Sequence, residues 1–130
     1  MREIKFRAWD KNRKKMWSHS DLYKMDCSNE YPFLALIRGF YATNMFPGEE
    51  MDVIPMQFTG LYDKNGKEIY EGDIVSYFGL KYEVLFKNGA FGWMEDGAFY
   101  SFNEMDRSEV NKFEIIGNIY ENPELLEESK

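Results

Sequence analysis

Lys81-Tyr82-Glu83-Val84-Leu85-Phe86-Lys87-Asn88-Gly89-Ala90-Phe91-Gly92-Trp93-Met94-Glu95-Asp96-Gly97-Ala98-Phe99-Tyr100-Ser101-Phe102 contains two hairpin signals in succession. Asn88-Gly89 and Asp96-Gly97 are dipeptides that accept the positive φ angles of a two-residue turn, and each lies between runs that alternate apolar with polar residues. Tyr82, Val84 and Phe86 share one face and Lys81 and Glu83 the other, which predicts a strand with one side in the core and one in water. Asn65-Gly66 repeats the turn signal upstream. The chain therefore reads as an antiparallel β protein.

Working outward, Val53-Ile54, Met56 to Leu61, Lys67 to Tyr70, Ile74 to Phe78, Lys81 to Phe86, Ala90 to Met94, Ala98 to Phe102 and Phe113 to Tyr120 are expected strands, with tight turns at Gly79 and at Glu71-Gly72-Asp73. A short-stranded meander whose last strand must find an edge is best satisfied by closure, so residues 53–120 are expected to form an antiparallel small barrel, SH3-like. Residues 1–17 predict a β-hairpin: Ile4, Phe6 and Ala8 alternate with Glu3, Lys5, Arg7 and Trp9, and Asp10-Lys11-Asn12-Arg13 turns the chain toward Lys14-Lys15-Met16-Trp17. Residues 18–52 mix short apolar pieces with polar breaks and read as an irregular insert or lid. Asn122-Pro123-Glu124 is a helix-start pattern, so 121–130 is expected to be a tail with a short helix through Glu128. All of this fits one domain of mostly β class.

The chain has 130 residues, 44% hydrophobic and 18% aromatic, enough for one real core, with roughly two thirds of the open-chain surface buried on folding. No apolar run approaches the roughly twenty residues of a membrane span, and Met1 to Asp10 has no signal-like apolar stretch, so a cytoplasmic location is expected. Cys27 is the single cysteine, which fits a reduced compartment. The formal charge of −7 makes this an acidic protein and argues against general nucleic-acid binding. Residues 1–15 nevertheless carry seven basic residues against two acidic ones, a local +5, leaving −12 on the remainder.

Arg2-Glu3-Ile4-Lys5-Phe6-Arg7-Ala8-Trp9-Asp10, the central Gln57-Phe58-Thr59-Gly60-Leu61-Tyr62-Asp63-Lys64-Asn65-Gly66-Lys67-Glu68-Ile69-Tyr70-Glu71-Gly72-Asp73-Ile74-Val75, and Ile116-Gly117-Asn118-Ile119-Tyr120-Glu121-Asn122-Pro123-Glu124-Leu125-Leu126 occur in this order. Together they resemble the YopX family of small bacteriophage and prophage proteins. The resemblance implies a phage or prophage origin, a bacterial cytoplasmic setting, a mostly β fold and possible self-association as a homo-oligomer. The family is one of unknown function, and no catalytic or ligand residue carries over from it.

Read by themselves, the residues hold no evident chemistry. His19 and Cys27, with Asp21 and Asp26 nearby, lack a convincing metal-ligand or nucleophile arrangement. Glu71 with Asp73, and Glu95 with Asp96, are explained by turns more simply than by acid–base work. Gly60, Gly66, Gly72 and Gly79 are spread over separate turns and cradle no phosphate. No catalytic, cofactor or metal residue is therefore expected, and the candidate interaction surface comprises Trp9, Lys11, Arg13, Lys14, Lys15, Trp17, Tyr62 and Tyr70. Trp93 and Tyr77 belong to the same aromatic set, for which core packing is the simpler reading. The expected function is that of a non-enzymatic β domain acting by protein–protein binding or self-assembly. The alternatives are nucleic-acid binding through the basic N-terminal edge, or an acidic body that imitates DNA toward a host protein.

Overall fold

The computed structural model describes residues 5–21 and 53–127, and these fall into two compact units, one of residues 5–21 with 53–57 and one of residues 58–127. The smaller unit holds the expected N-terminal hairpin. Strands β1 (Phe6–Asp10) and β2 (Lys15–Trp17) pair antiparallel with Asp10 opposite Lys15 and Ala8 opposite Trp17. The first half of β3 (Val53–Tyr62) lies along the other side of β1, with Val53 opposite Asp10 and Gln57 opposite Phe6. The expected insert falls from residue 22 onward outside the described residues.

The larger unit is a curled antiparallel meander. Its strands are the second half of β3, then β4 (Glu68–Tyr70), β5 (Asp73–Tyr77), β6 (Leu80–Glu83), β7 (Leu85–Lys87), β8 (Ala90–Glu95), β9 (Ala98–Ser101) and β10 (Glu114–Asn118). A 3-10 turn (Phe102–Glu104) and helix α1 (Arg107–Val110) precede β10, and helix α2 (Glu124–Glu127) follows it. The strands form one sheet ordered β10-β5-β6 and another ordered β7-β8-β9, while β4 pairs with β3. Residue Val84 separates β6 from β7. Its N–H donates to Asp73 O (2.8 Å) and its carbonyl accepts from Gly72 N (2.9 Å), so the chain changes sheets there. The last strand does find the edge beside β5.

Three two-residue loops drive the meander, at Phe78-Gly79, Asn88-Gly89 and Asp96-Gly97, and in each both residues have positive φ, between 49° and 82°. Two of these are the turns expected from their dipeptides. The third Asn-Gly pair differs from expectation, because at Asn65-Gly66 only the glycine is left-handed (φ 80°). The physical reason is Asp63, whose Oδ1 accepts the N–H groups of both Asn65 (2.8 Å) and Lys67 (2.9 Å), winding a wider loop that the Asp63 N–H to Lys67 O bond closes.

Ile69, Val75, Val84, Phe91, Trp93, Phe102, Val110 and Phe113 form the core of this unit. Phe113 is fully buried, stacked 4.4 Å from Tyr77 and edge-on to Phe102 at 5.5 Å, with Trp93 5.6 Å away. Phe86 departs from the expected pattern, since it is half exposed while Val84 is buried. The change of sheets at Val84 puts β7 on the outer edge of its new sheet, where the Phe86 ring touches only the rim of the core through Phe91, 4.8 Å away. The C-terminal helix is a single turn, and Asn122 does not cap it with its side chain. Its Oδ1 accepts from Asn118 N (3.3 Å) instead, in space that Gly117 leaves open, since a Cβ there would lie 2.6 Å from that oxygen.

Candidate functional site

The buried polar side chains, Asp10, Thr59, Asp63, Asp73 and Asn118, show where the polar chemistry of the described residues is spent. Each ties a turn. Thr59 donates its hydroxyl to Ile69 O (2.7 Å) and accepts from Leu61 N, holding a bulge in β3 whose Gly60 sits at φ 85°. Asp63 uses its second oxygen to accept from Ile115 N (3.0 Å), 52 residues away, so that one carboxylate joins the β3–β4 loop to β10. Asp73 accepts from Tyr70 N at 2.7 Å, and Gly72, at φ 89°, is bonded through its carbonyl to Ile119 N. Asn118 accepts from Tyr120 N and Glu121 N and donates to Glu121 Oε1 at 2.8 Å. Unpaired, such groups would each cost about 1–3 kcal/mol to bury; paired, they pin the turns.

Asp10 does the same for the small unit. Oδ1 accepts from Asn12 N and Arg13 N, both at 3.0 Å, and Oδ2 accepts from Arg13 Nη1 and Trp17 Nε1, both at 3.1 Å. Burial pushes this carboxyl up, but the bonds from the Arg13 backbone, Trp17 and the Arg13 guanidinium outweigh burial and hold it below the ordinary aspartate value. Lys15 Nζ lies 4.1 Å from the Trp17 ring centre. Of the expected interaction surface, Trp9, Lys11, Arg13, Lys14, Lys15 and Trp17 thus share one hairpin, with Lys11, Lys14 and Lys15 exposed and Arg13 and Trp17 committed to Asp10. Tyr62 and Tyr70 belong to the other unit. Tyr62 is exposed, but Tyr70 is buried, its ring 5.5 Å from Phe58 and its hydroxyl donating to Glu68, so it offers no surface.

Two of the acidic residues weighed for catalysis, Asp73 and Glu95, are occupied otherwise. Asp73 is a turn tie, and Glu95 Oε1 accepts from the Tyr82 hydroxyl at 2.7 Å. A parallel bond runs from the Tyr77 hydroxyl to Glu109 Oε2 at 2.6 Å. Burial first and the Glu95 carboxylate second push the Tyr82 phenol up to about 12. The folded state therefore favours neutral Tyr82, and its contribution is present in full below the unfolded phenol value of roughly 10 and lost as pH rises toward 12. Chemical denaturation of wild type should show stability falling across that window, and Tyr82→Phe should flatten the slope. Glu83, half-buried on β6, is raised by desolvation. Among the described residues, no three His, Cys, Asp or Glu side chains are grouped to hold a metal ion, and no helix is long and apolar enough to cross a membrane.

Several large apolar side chains also reach solvent. Phe78 is 77% exposed at the β5–β6 tip, with Leu80 beside it, and Phe86 and Tyr100 protrude from the β7-β8-β9 sheet. Phe78 also occupies φ 49°, a left-handed conformation that costs a residue with a bulky side chain roughly 1–2 kcal/mol. The sequence carries this signal as an aromatic residue immediately before a turn glycine, where asparagine or aspartate is the cheap choice. Gly60, Leu61, Tyr62, Asp63, Lys64, Gly66, Val110 and Asn111 line an open groove of about 440 Å³. Leu61, Tyr62 and Val110 are the large apolar residues of its lining.

No curated protein matches the chain. The crystal structure of protein EF1440 from Enterococcus faecalis is similar over 97% of this chain and 99% of that one, with 28% identity and a TM-score of 0.59. The family model described as YopX protein matches residues 5–127, which takes in both hairpin units and every turn tie described above, and the chain therefore belongs to the YopX family.

Proposed function

We propose that this chain is a phage- or prophage-encoded, non-enzymatic β domain that acts in the bacterial cytoplasm by binding protein, with further copies of itself as the partner. The observation that carries the reading is Phe78, which is strained in its backbone and open to water in its side chain. The turn needs the left-handed φ but not a phenylalanine to supply it, and a bulky apolar side chain kept strained at an exposed position points to use. The change of sheets at Val84, with a 3-10 turn before the closing strand, supports the SH3-like small barrel expected over residues 53–120, read here in the larger unit, whose loops and edges present the contact residues. The groove beside Leu61 and Val110 has room for an aromatic ring. A ring from one copy seated in the groove of the next is a head-to-tail contact, which builds closed rings or open filaments.

Phe78→Asn tests this, because asparagine is the preferred first residue of such a turn. The variant should keep the wild-type stability or exceed it by up to about 1 kcal/mol, after losing a Tyr77 ring contact that offsets part of the relief. In sedimentation velocity, wild type should run as an oligomer and Phe78→Asn at lower mass. A monomeric wild type, or an unchanged mass in the variant, would refute self-association.

A further inference from the structure

A strand at the end of a sheet shows a row of unpaired N–H and C=O groups, and folded proteins blunt such edges with charge or proline. Among the described residues the strands that end a sheet are β2, β4, β6, β7, β9 and β10. Lys15, Glu68, Lys81, Lys87 and Glu114 place a charge on every one of them except β9. Ala98-Phe99-Tyr100-Ser101 carries neither charge nor proline, and the side of it away from β8 has no backbone partner among the described residues. This bare edge is also fixed in place. A Cβ at Gly92 on β8 would run into Tyr100 O and the Phe99 ring, so β9 is seated hard against its neighbour. The Asp96-Gly97 turn holds one end of the strand, and at the other Ser101 Oγ accepts from Asn103 N (3.0 Å).

We propose that the β9 edge is a docking site for an extended segment of another protein, apolar at its centre and basic at its ends, which adds to the sheet as a further strand. In this mode main-chain hydrogen bonds supply affinity and the side chains beside the edge supply selection. Charge complementarity names the occupant. Residues 95–106 contain four acidic residues and no basic one. Asp96 and Glu104, one before β9 and one after it, are exposed and bonded to nothing among the described residues, so both are open to a lysine or arginine of the added segment. A second copy fits poorly, because two-fold antiparallel pairing of β9 strands sets the Asp96 end of one against the Glu104 end of the other. The site is therefore distinct from the self-association through Phe78.

The probe is a short labelled peptide, blocked at both termini, with alternating valine and threonine between terminal lysines, titrated with the full chain by fluorescence anisotropy. Saturable binding is expected, with amide hydrogen exchange slowed at residues 98–101. Asp96→Asn keeps a preferred turn residue and Glu104→Gln changes an exposed side chain, so the fold stands in both. Each should weaken the peptide about two- to fivefold, as for the loss of one exposed ion pair. Ala98→Lys, which supplies the charge that β9 lacks, should weaken it at least as much. Phe78→Asn should leave the titration unchanged while lowering the sedimenting mass, so either proposal can fail without the other. No saturable binding, equal affinity for the same peptide with glutamate ends, wild-type affinity in both acid variants, or slowed exchange confined to other residues would each overturn the proposal. Protection of residues 98–101 that rises with protein concentration in the absence of peptide would overturn it in favour of a second copy.

Discussion

Phe113→Ala is expected to destabilise the larger unit by about 4 kcal/mol, the largest effect of any single substitution considered for this chain. The ring is fully buried between the face of Tyr77 and the rings of Phe102 and Trp93, and truncation removes all three contacts at once. The neighbours cannot close the gap. Tyr77 is fixed by its hydroxyl bond to Glu109, and the Phe113 backbone is held at both ends, its N–H to Val110 O and its carbonyl to Lys64 N. A typical domain has only about 5–15 kcal/mol of stability, so the variant should melt far below wild type or populate a loosened state. Urea denaturation followed by near-ultraviolet circular dichroism measures this, with Tyr100→Ala as a rim control expected to cost under about 1.5 kcal/mol. Equal losses at the two positions would show that the aromatic core is not centred on Phe113.

Asp63→Ala should cost about 3 kcal/mol, although the residue lies in a surface loop. Three backbone N–H groups lose a charged acceptor, those of Asn65, Lys67 and Ile115. The first two are in a turn that water can reach, so their loss is partly compensated. The Ile115 N–H lies on β10, and its loss leaves the β3–β4 loop tied to the final strand through the Lys64–Phe113 backbone bond and two exposed contacts of Glu114, the ion pair with Lys64 and a long bond from the Asn65 amide (3.5 Å). Asp63→Asn should cost less, because a side-chain amide oxygen replaces one of the two acceptors. Thermal melts of the two variants measure the difference; a cost for Asp63→Ala within about 0.5 kcal/mol of zero, as for an ordinary surface residue, would mean that the carboxylate is not a tie.

The hairpins at Asn88-Gly89 and Asp96-Gly97 were legible because turn geometry and turn residues coincide there, and nothing remote intervenes. Asn65-Gly66 has the same dipeptide and a different loop, because a carboxylate two residues earlier captures its amides. Phe86 alternates correctly with Val84 and Tyr82, but alternation says nothing of a strand that changes sheets between them. The turn character of Glu71-Gly72-Asp73 is written locally, whereas the bonds that give it value, from Gly72 to Val84 and Ile119, join segments far apart in the chain. Much the same holds for the candidate surface. Basic and aromatic residues between Trp9 and Trp17 are grouped by the hairpin that contains them, but Tyr70 is buried by its pairing with Phe58, a register no local pattern announces. Phe78 was missed for the opposite reason. Turn preference places asparagine in front of a turn glycine, so a phenylalanine there reads as the end of a strand until its φ angle and exposure are seen together.

The recognisable blocks of this chain thus encode how the turns are tied, and contact is left to what the turns hold out into solvent. Amide hydrogen exchange resolved by residue measures the tying directly. The Asn12, Arg13, Lys67, Tyr70 and Ile115 amides, bound to the carboxylates of Asp10, Asp63 and Asp73, are expected to be protected well above ordinary turn amides, with Tyr70 and Ile115 approaching the protection of core strands β5 and β8. Exchange of all five at the rate of open loops would contradict it.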